Sequence, residues 1–351
     1  MKNAKKKMQY FVVLLFFTTA CIFSGCKKEY LKKDGTKSGI KETPHPKPKE
    51  GPGTNSPATP SSNAGNLQIF PIDNPWNQDI SQSQVDPYSS RIMSRLGEYF
   101  VRPDFGSGLY KGKPMGIPYT VVSGTQQKCS IKFRPNRHEE VYESESDPGP
   151  YPIPLNAAIE GNGDMDSDGH VIVVDKDNRK LYELANASMR NGQWEAAGVA
   201  IFDLTSNKMR PEGWTSAEAA GLPIFPGLVK YEEIAKGAIN HPIRFTLRGS
   251  HIQRNTYIYP ARHTVKPARG EKGASLPFGA RIRLKKNFDI SGFSPTNQII
   301  LNAMKKYGLI LADIGMNFAI TGSPDPRWDD EDLNKLRRVP ASEFEVVKFN
   351  N

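Results

Sequence analysis

His170-Val-Ile-Val-Val-Asp175-Lys-Asp-Asn-Arg-Lys180-Leu-Tyr-Glu-Leu184 holds two short β-like runs around a polar break. The runs His170–Val174 and Lys180–Leu184 are rich in residues that suit a pleated, half-buried surface. Asp175–Asn178 between them carries the residues of a hairpin turn. The same grammar recurs along the chain: Ile117–Val122, Cys129–Phe133, Val199–Leu204, Ile243–Leu247, Thr256–Tyr259, Arg281–Leu284, Met316–Thr321 and Phe344–Phe349, separated by Gly, Pro, Asn and Asp. Helical signals are fewer. Asp86-Pro87 and Ser294-Pro295 each read as an N-cap with proline in the first turn, opening helices to about Tyr99 and Tyr307. Ser216–Ala220 suggests one turn, and Asp329–Arg337 a short helix with acids first and bases last. With no βαβ alternation and no repeat, residues 66–351 are expected to form one mainly β (β-rich α+β) domain, a sandwich or an irregular barrel with a few peripheral helices. Arg134–Pro154 and Pro260–Pro277 read as long surface loops of the kind that carry function.

Upstream of this domain the chain changes character. Lys2, Lys5, Lys6 and Lys7 precede an apolar run, Tyr10–Phe23, which is too short to span a bilayer comfortably. Phe-Ser-Gly-Cys26 closes it, and Thr-Ala-Cys21 is a competing cleavage site that would truncate the run. This architecture resembles the lipobox leader of bacterial lipoproteins, although Phe23 stands where that family usually has Leu. The resemblance implies removal of residues 1–25 and a lipid on Cys26. It places the domain in the cell envelope, held to a membrane (the outer membrane is expected) and facing the periplasm or the cell surface. Residues 26–65, rich in Lys, Pro and Ser, are expected to form a disordered tether. Its prolines, Pro44, Pro46 and Pro48, favour extended stretches.

The net charge is +10, but the leader holds four lysines and no acid, and the tether eight lysines against four acids. Only +2 is left for the folded part, so its charge points to no nucleic-acid partner. The chain has three cysteines, and with Cys21 and Cys26 assigned to leader and lipid, Cys129 has none to pair with. In its strand-like setting Cys129 reads as a small core residue. A nucleophile elbow, a P-loop, a dinucleotide fingerprint and zinc-ligand spacing are all lacking, so no nucleotide chemistry is expected.

Four groups of residues could carry chemistry. Asp164, Asp166, Asp168, Gly169 and Asp175 occupy the first, third, fifth, sixth and twelfth places of a segment that resembles an EF-hand calcium loop. Calcium needs many oxygens and a sharply turning chain, so structural Ca2+ is one reading; an acidic turn before a strand is the other. The strand-like run His170–Val174 follows, and a helix is missing before it, so the likeness is to the loop alone. Asp168 and His170 could instead face an active site. Tyr257, Tyr259, Arg262 and His263 form a second group. A Tyr or His base beside an Arg that neutralises a carboxylate suits β-elimination of a uronic acid. The third group is acidic: Glu160, Asp203, Glu218 and Asp313, of which Asp203 and Asp313 end apolar runs. Glycoside hydrolysis needs two such carboxyls. Finally, tryptophans in polar settings, Trp214 and Trp328 above all, could stack on sugar rings; the competing reading is that they plug the ends of the β core.

The blocks His170-Val-Ile-Val-Val-Asp, Arg210-Pro-Glu-Gly-Trp-Thr-Ser, Ala220-Gly-Leu-Pro-Ile, Tyr259-Pro-Ala-Arg-His, Ile310-Leu-Ala-Asp and Pro324-Asp-Pro-Arg-Trp-Asp resemble an uncharacterised family of exported bacterial proteins. The resemblance covers residues 150–350. It implies one recurring unit there and brings no catalytic assignment. The reading that follows is a membrane-anchored envelope lipoprotein acting on polysaccharide, as a glycoside hydrolase or polysaccharide lyase. A non-catalytic glycan-binding or envelope-assembly lipoprotein is the alternative.

Overall fold

A computed structural model describes residues 67–163 and 168–349. The leader, the tether with Cys26, and Asp164 and Asp166 lie outside the described residues. The domain is strand-rich with few helices, and none of its several sheets closes into a barrel. The larger sheet runs in the order β1 (Arg102–Asp104), β16 (Ala319–Thr321), β11 (Ile243–Leu247), β15 (Leu309–Ile314), β14 (Arg281–Leu284) and β17 (Phe344–Val346). It is mixed: β1 pairs parallel with β16 and β11 with β15, and the other neighbours are antiparallel. A four-stranded sheet has the order β10 (Gly198–Asp203), β7 (Lys180–Ala185), β6 (Val171–Asp175) and β4 (Tyr119–Val122). A third sheet contains β5 (Ile131–Phe133), β9 (Gln193–Ala196) and β8 (Ser188–Arg190). Two ribbons complete the set: β2 (Leu109–Tyr110) with β3 (Lys113–Pro114), and β12 (Ile252–Tyr257) with β13 (Leu276–Phe278).

The hairpin legible in the sequence is β6–β7. Asp175 closes its turn by accepting the Asn178 backbone N–H at 3.0 Å and its side-chain amide at 2.7 Å. Successive β6 side chains point to opposite faces. Ile172 and Val174 enter the main core, shared with Phe245, Ile282 and Leu309 of the larger sheet. Val171 and Val173 enter a second cluster with Tyr151, Ile153 and Trp194. Both faces are covered, which is why this strand is an unbroken apolar run.

The helices follow their caps with two corrections. α3 (Pro295–Lys306) begins as expected, with Ser294 Oγ accepting the Asn297 N–H at 3.2 Å, and Gly308 follows it in a left-handed conformation (φ 74°). α4 (Asp330–Asn334) is capped by Asp329 and then tightens into a 3-10 turn, Lys335–Arg338. α1 (Ser89–Leu96) starts later than the Asp86-Pro87 signal implies. Asp86 donates its N–H to Val346 and accepts from Tyr88, so it ties a turn to β17 instead of capping the helix. Ser216–Ala220 is a bent strap and not a helix: it closes on one turn, the Gly221 N–H to the Glu218 carbonyl at 3.2 Å, and the Ala220 N–H ties it to β15 through the Ala312 carbonyl at 3.1 Å. A further short helix, α2 (Tyr231–Ala235), carries no sequence expectation. Among the described residues no helix is long and apolar enough to cross a membrane.

Candidate active site

Ile243-Arg-Phe-Thr-Leu247 is fully buried, yet it contains an arginine. Alternation sends Ile243, Phe245 and Leu247 into the main core and turns Arg244 and Thr246 to the opposite face. That face looks into a cleft of about 510 Å³. β1 contributes Asp104, whose backbone partner across the sheet is Thr321 of β16. β15 contributes Asp313 through an irregularity: Phe245 pairs with Leu311 but Thr246 pairs with Asp313, so one extra residue is inserted opposite β11. Such a bulge changes where the next side chain points, and Asp313 joins the cleft lining while Leu309 and Leu311 stay in the core.

Glu160, at the head of a 3-10 turn (Glu160–Gly163), and His170, just before β6, reach the cleft side by side. Their backbones are tied by the Glu160 N–H to the His170 carbonyl at 2.9 Å. Their side chains meet at 2.6 Å between Oε2 and Nδ1, and His170 Nε2 lies 3.0 Å from the Ala217 carbonyl. A neutral imidazole has one N–H, but here both ring nitrogens face acceptors, so the geometry fits an imidazolium. Burial opposes that charge. The field and hydrogen bond of Glu160, helped by Asp168 and Asp313, outweigh it and lift His170 to about 10. Burial likewise pushes Glu160 upward, and His170 more than reverses it, so Glu160 stays ionised below its usual range. His170 is therefore a fixed cation that holds a carboxylate, and not a general base at neutral pH.

The strap 216–220 links this pair to the other acids. It offers the Ala217 carbonyl to His170, the Ala219 N–H to Asp313 Oδ1 at 3.1 Å, and the Glu218 side chain to Arg244, which it touches. Asp313 Oδ1 also accepts the Ile314 N–H at 2.8 Å, and Oδ2 lies 3.9 Å from Arg244. Burial raises Asp313 above the usual carboxylate range even with Arg244 nearby. Glu218 is completely buried and is pushed up to about 8, burial outweighing Arg244. Asp104 is raised by burial, more than Arg102 lowers it. At the mouth Arg137 pairs with Asp168 at 3.0 Å.

Comparison with protein-family models, curated proteins and solved structures gives no match. The chemistry of this cleft is consequently argued from its own residues.

Of the sequence candidates, Glu160, His170, Asp168 and Asp313 share the cleft. The others lie elsewhere. Asp203 pairs with Lys180 at 2.7 Å and accepts from Thr205; those bonds hold it at about 2, as a turn residue. Tyr257, Tyr259 and Arg262 line a separate surface hollow. There Arg262 is taken by Glu212 at 2.5 Å, and the Tyr257 hydroxyl donates to the same carboxylate. The arginine's charge is thus already answered, and Tyr259 is raised by burial, away from acting as a base. His263 Nδ1 bonds the Ala219 carbonyl at 2.8 Å. Trp328, expected on a sugar, is core: it packs edge-on against Phe105 and Tyr231 and donates to the Ser323 carbonyl. Trp214 is half-buried against Arg210 and is not among the residues lining the cleft. The twelve-residue loop is not a single ligand ring. β6 separates Asp168 from Asp175, and at about 3.3 Å per residue the two cannot reach one ion. Among the described residues no three metal-ligating side chains converge. Asp104, Arg137 and Arg244 were not singled out by sequence; only Arg244 left a signal, a lone cation in an apolar strand.

These pairings carry a pH dependence. His170 titrates near 6.5 when unexposed to its partner and near 10 in the fold. Its stabilisation is full below about 6.5 and fades as pH climbs through about 10. Glu218, moved from 4.5 to about 8, and buried Glu183, moved from 4.5 to about 7, act in the same direction. The folded chain keeps protons that the unfolded chain has released. The urea midpoint is therefore expected to fall between about pH 6 and about pH 9.5, and His170→Gln to flatten the upper part of that fall. A midpoint that stays level or rises would contradict the assignment.

Proposed function

We propose that the chain is an exported, lipid-anchored enzyme that hydrolyses polysaccharide in this cleft. The observation that carries the reading is the opposed tuning of two carboxyls lining one site: Glu160 is held ionised by His170, and burial pushes Asp313 toward its protonated form. Glycoside hydrolysis needs that division of labour. Asp313 gives its proton to the glycosidic oxygen as the bond breaks. Glu160 takes a proton from the attacking water, so one water is consumed per bond. Elimination has less support, since its arginine, Arg262, is occupied by Glu212 and His170 has no free basic nitrogen.

Full-length protein incubated with a panel of envelope and plant polysaccharides is expected to release new reducing ends without the ultraviolet absorbance of unsaturated sugars. Absorbing products would replace hydrolysis with elimination. Binding without products would make the chain a glycan-binding lipoprotein. Calcium now rests on Asp164, Asp166 and Asp168, and turnover with and without a chelator tests it.

The anchor is a proposal of the same kind. Cys26→Ala is expected to abolish incorporation of labelled palmitate and to shift the protein out of the membrane fraction. Label retained on that variant would place the lipid elsewhere.

A further inference from the structure

The β2–β3 hairpin overhangs the cleft. Its root is clamped: the N–H groups of Ser107 and Gly108 donate to the Asp330 carboxylate at 2.8 and 2.9 Å. Its tip turns through Lys111 and Gly112, both left-handed (φ 52° and 80°), a tight two-residue connection, and open space surrounds Gly112. Just before the turn, Tyr110 is 61 % exposed although it lines the cleft. Leaving a large ring in water at the mouth of a cleft gains nothing for folding. Lys111 also lines the cleft, its Nζ 5.6 Å from the Tyr110 ring centre. The cations deeper in the cleft are already engaged: His170 with Glu160, Arg137 with Asp168, and Arg244 with Glu218 and Thr321. Lys111 makes no ion pair of that kind among the described residues, so it brings surplus positive charge beside an exposed ring.

We infer that this hairpin is the recognition arm of the cleft and that it selects an anionic glycan, with Tyr110 stacked on the apolar face of a sugar and Lys111 against its negative group. The inference rests on the hydrolase reading for the identity of the cleft, and it names the substrate class. A ring flanked by a cation suits a pyranose that carries a carboxylate or sulfate, because one group covers the carbon face and the other answers the charge.

Titration calorimetry on the full-length protein tests it with two matched pairs: oligogalacturonides against their methyl esters, and sulfated dextran oligomers against plain ones. At least one charged probe is expected to bind about tenfold tighter than its uncharged partner. Lys111→Ala should remove that margin and leave the uncharged probe's affinity unchanged. Tyr110→Ala should weaken both members of the pair, by about tenfold. Equal binding within both pairs, no binding to any of the four, a margin that survives Lys111→Ala, or unchanged affinities in Tyr110→Ala would each overturn the assignment. The two readings fail separately. Charge-selective binding with no product from any glycan keeps the arm and removes the hydrolase; product release with no charge preference does the reverse.

Discussion

Asp313→Asn is expected to lower turnover by about 10²- to 10⁴-fold, the range over which a positioned general acid acts. The substitution is close to isosteric. Its amide oxygen can still accept the Ala219 and Ile314 N–H groups that hold the carboxylate in place, so β15 and its bulge should persist. What is lost is the proton. The pH profile gives an independent reading. Glu160, held below its usual range, sets the acidic limb of the wild-type curve, and Asp313, raised by burial, sets the alkaline limb. Asp313→Asn should erase the alkaline limb alone. Glu160→Gln should abolish turnover as well and, by removing the partner that keeps His170 charged, lower the thermal midpoint. An aryl glycoside with an acidic leaving group supplies the sharpest contrast, since its departure needs little protonation. On that substrate Asp313→Asn should recover most of its rate. Loss of less than about threefold on ordinary glycans would remove Asp313 as the acid and leave Asp104, the other raised carboxyl of the cleft, as its replacement.

The parts of the fold that were legible in the sequence are those fixed locally. The β6–β7 hairpin follows from alternation and one Asx turn, and α3 from Ser294-Pro295 and Gly308. The legible part of the site has the same origin: His170 and Asp313 stand where apolar runs begin or end, and strand ends project side chains out of a sheet, whereas Glu160 stands out only as an acid before Gly-Asn-Gly and sits at the head of a 3-10 turn. What the sequence hides is long-range. Arg244 is separated by more than twenty residues from Glu218 and by many more from Asp313, and only the parallel pairing of β11 with β15 brings them together. The bulge that re-aims Asp313 leaves no local trace. Polar neighbours in sequence misled for Trp328. Pro324-Asp-Pro-Arg-Trp-Asp suggests exposure, but the ring turns inward between Phe105 and Tyr231 while Asp325 and Arg327 pair outside it. Tyr259 and Arg262 do share a hollow, as their spacing implies, but Glu212, from a distant turn, occupies the arginine. Neighbours in space decide which charges are available for chemistry.

Above about pH 8, where Glu218 is ionised, Arg244→Met is expected to destabilise the domain by about 3–5 kcal/mol, the usual cost of deleting one partner from a buried ion pair. Arg244 is the cation at the centre of the site: it contacts Glu218, lies within reach of Asp313, and donates to Thr321. Methionine fills similar volume, so packing loss should be small and the effect mainly electrostatic. Glu218 is then left in a dry interior with no counter-charge. Because burial already raises it to about 8, part of the cost will be met by protonation. That predicts a pH dependence: the Arg244→Met defect should be smallest below about pH 8, where Glu218 is protonated with or without Arg244, and grow as pH rises above it. Glu218→Gln alone should cost about 1 kcal/mol, since glutamine resembles the protonated acid and needs no cation. Combined with Arg244→Met it should recover part of the loss, with a coupling of about 0.5–3 kcal/mol measured from urea midpoints. Strict additivity would mean that the two side chains are neighbours without being partners. The same variant reaches the chemistry. Without Arg244 the strongest influence that lowers Asp313 is gone, leaving the Ala219 N–H and His170 against burial and Asp168, so its pKa rises further. If Asp313 is the acid, any residual turnover in Arg244→Met will carry an alkaline limb displaced upward, whereas a merely structural role for Asp313 would leave that limb where the wild type has it.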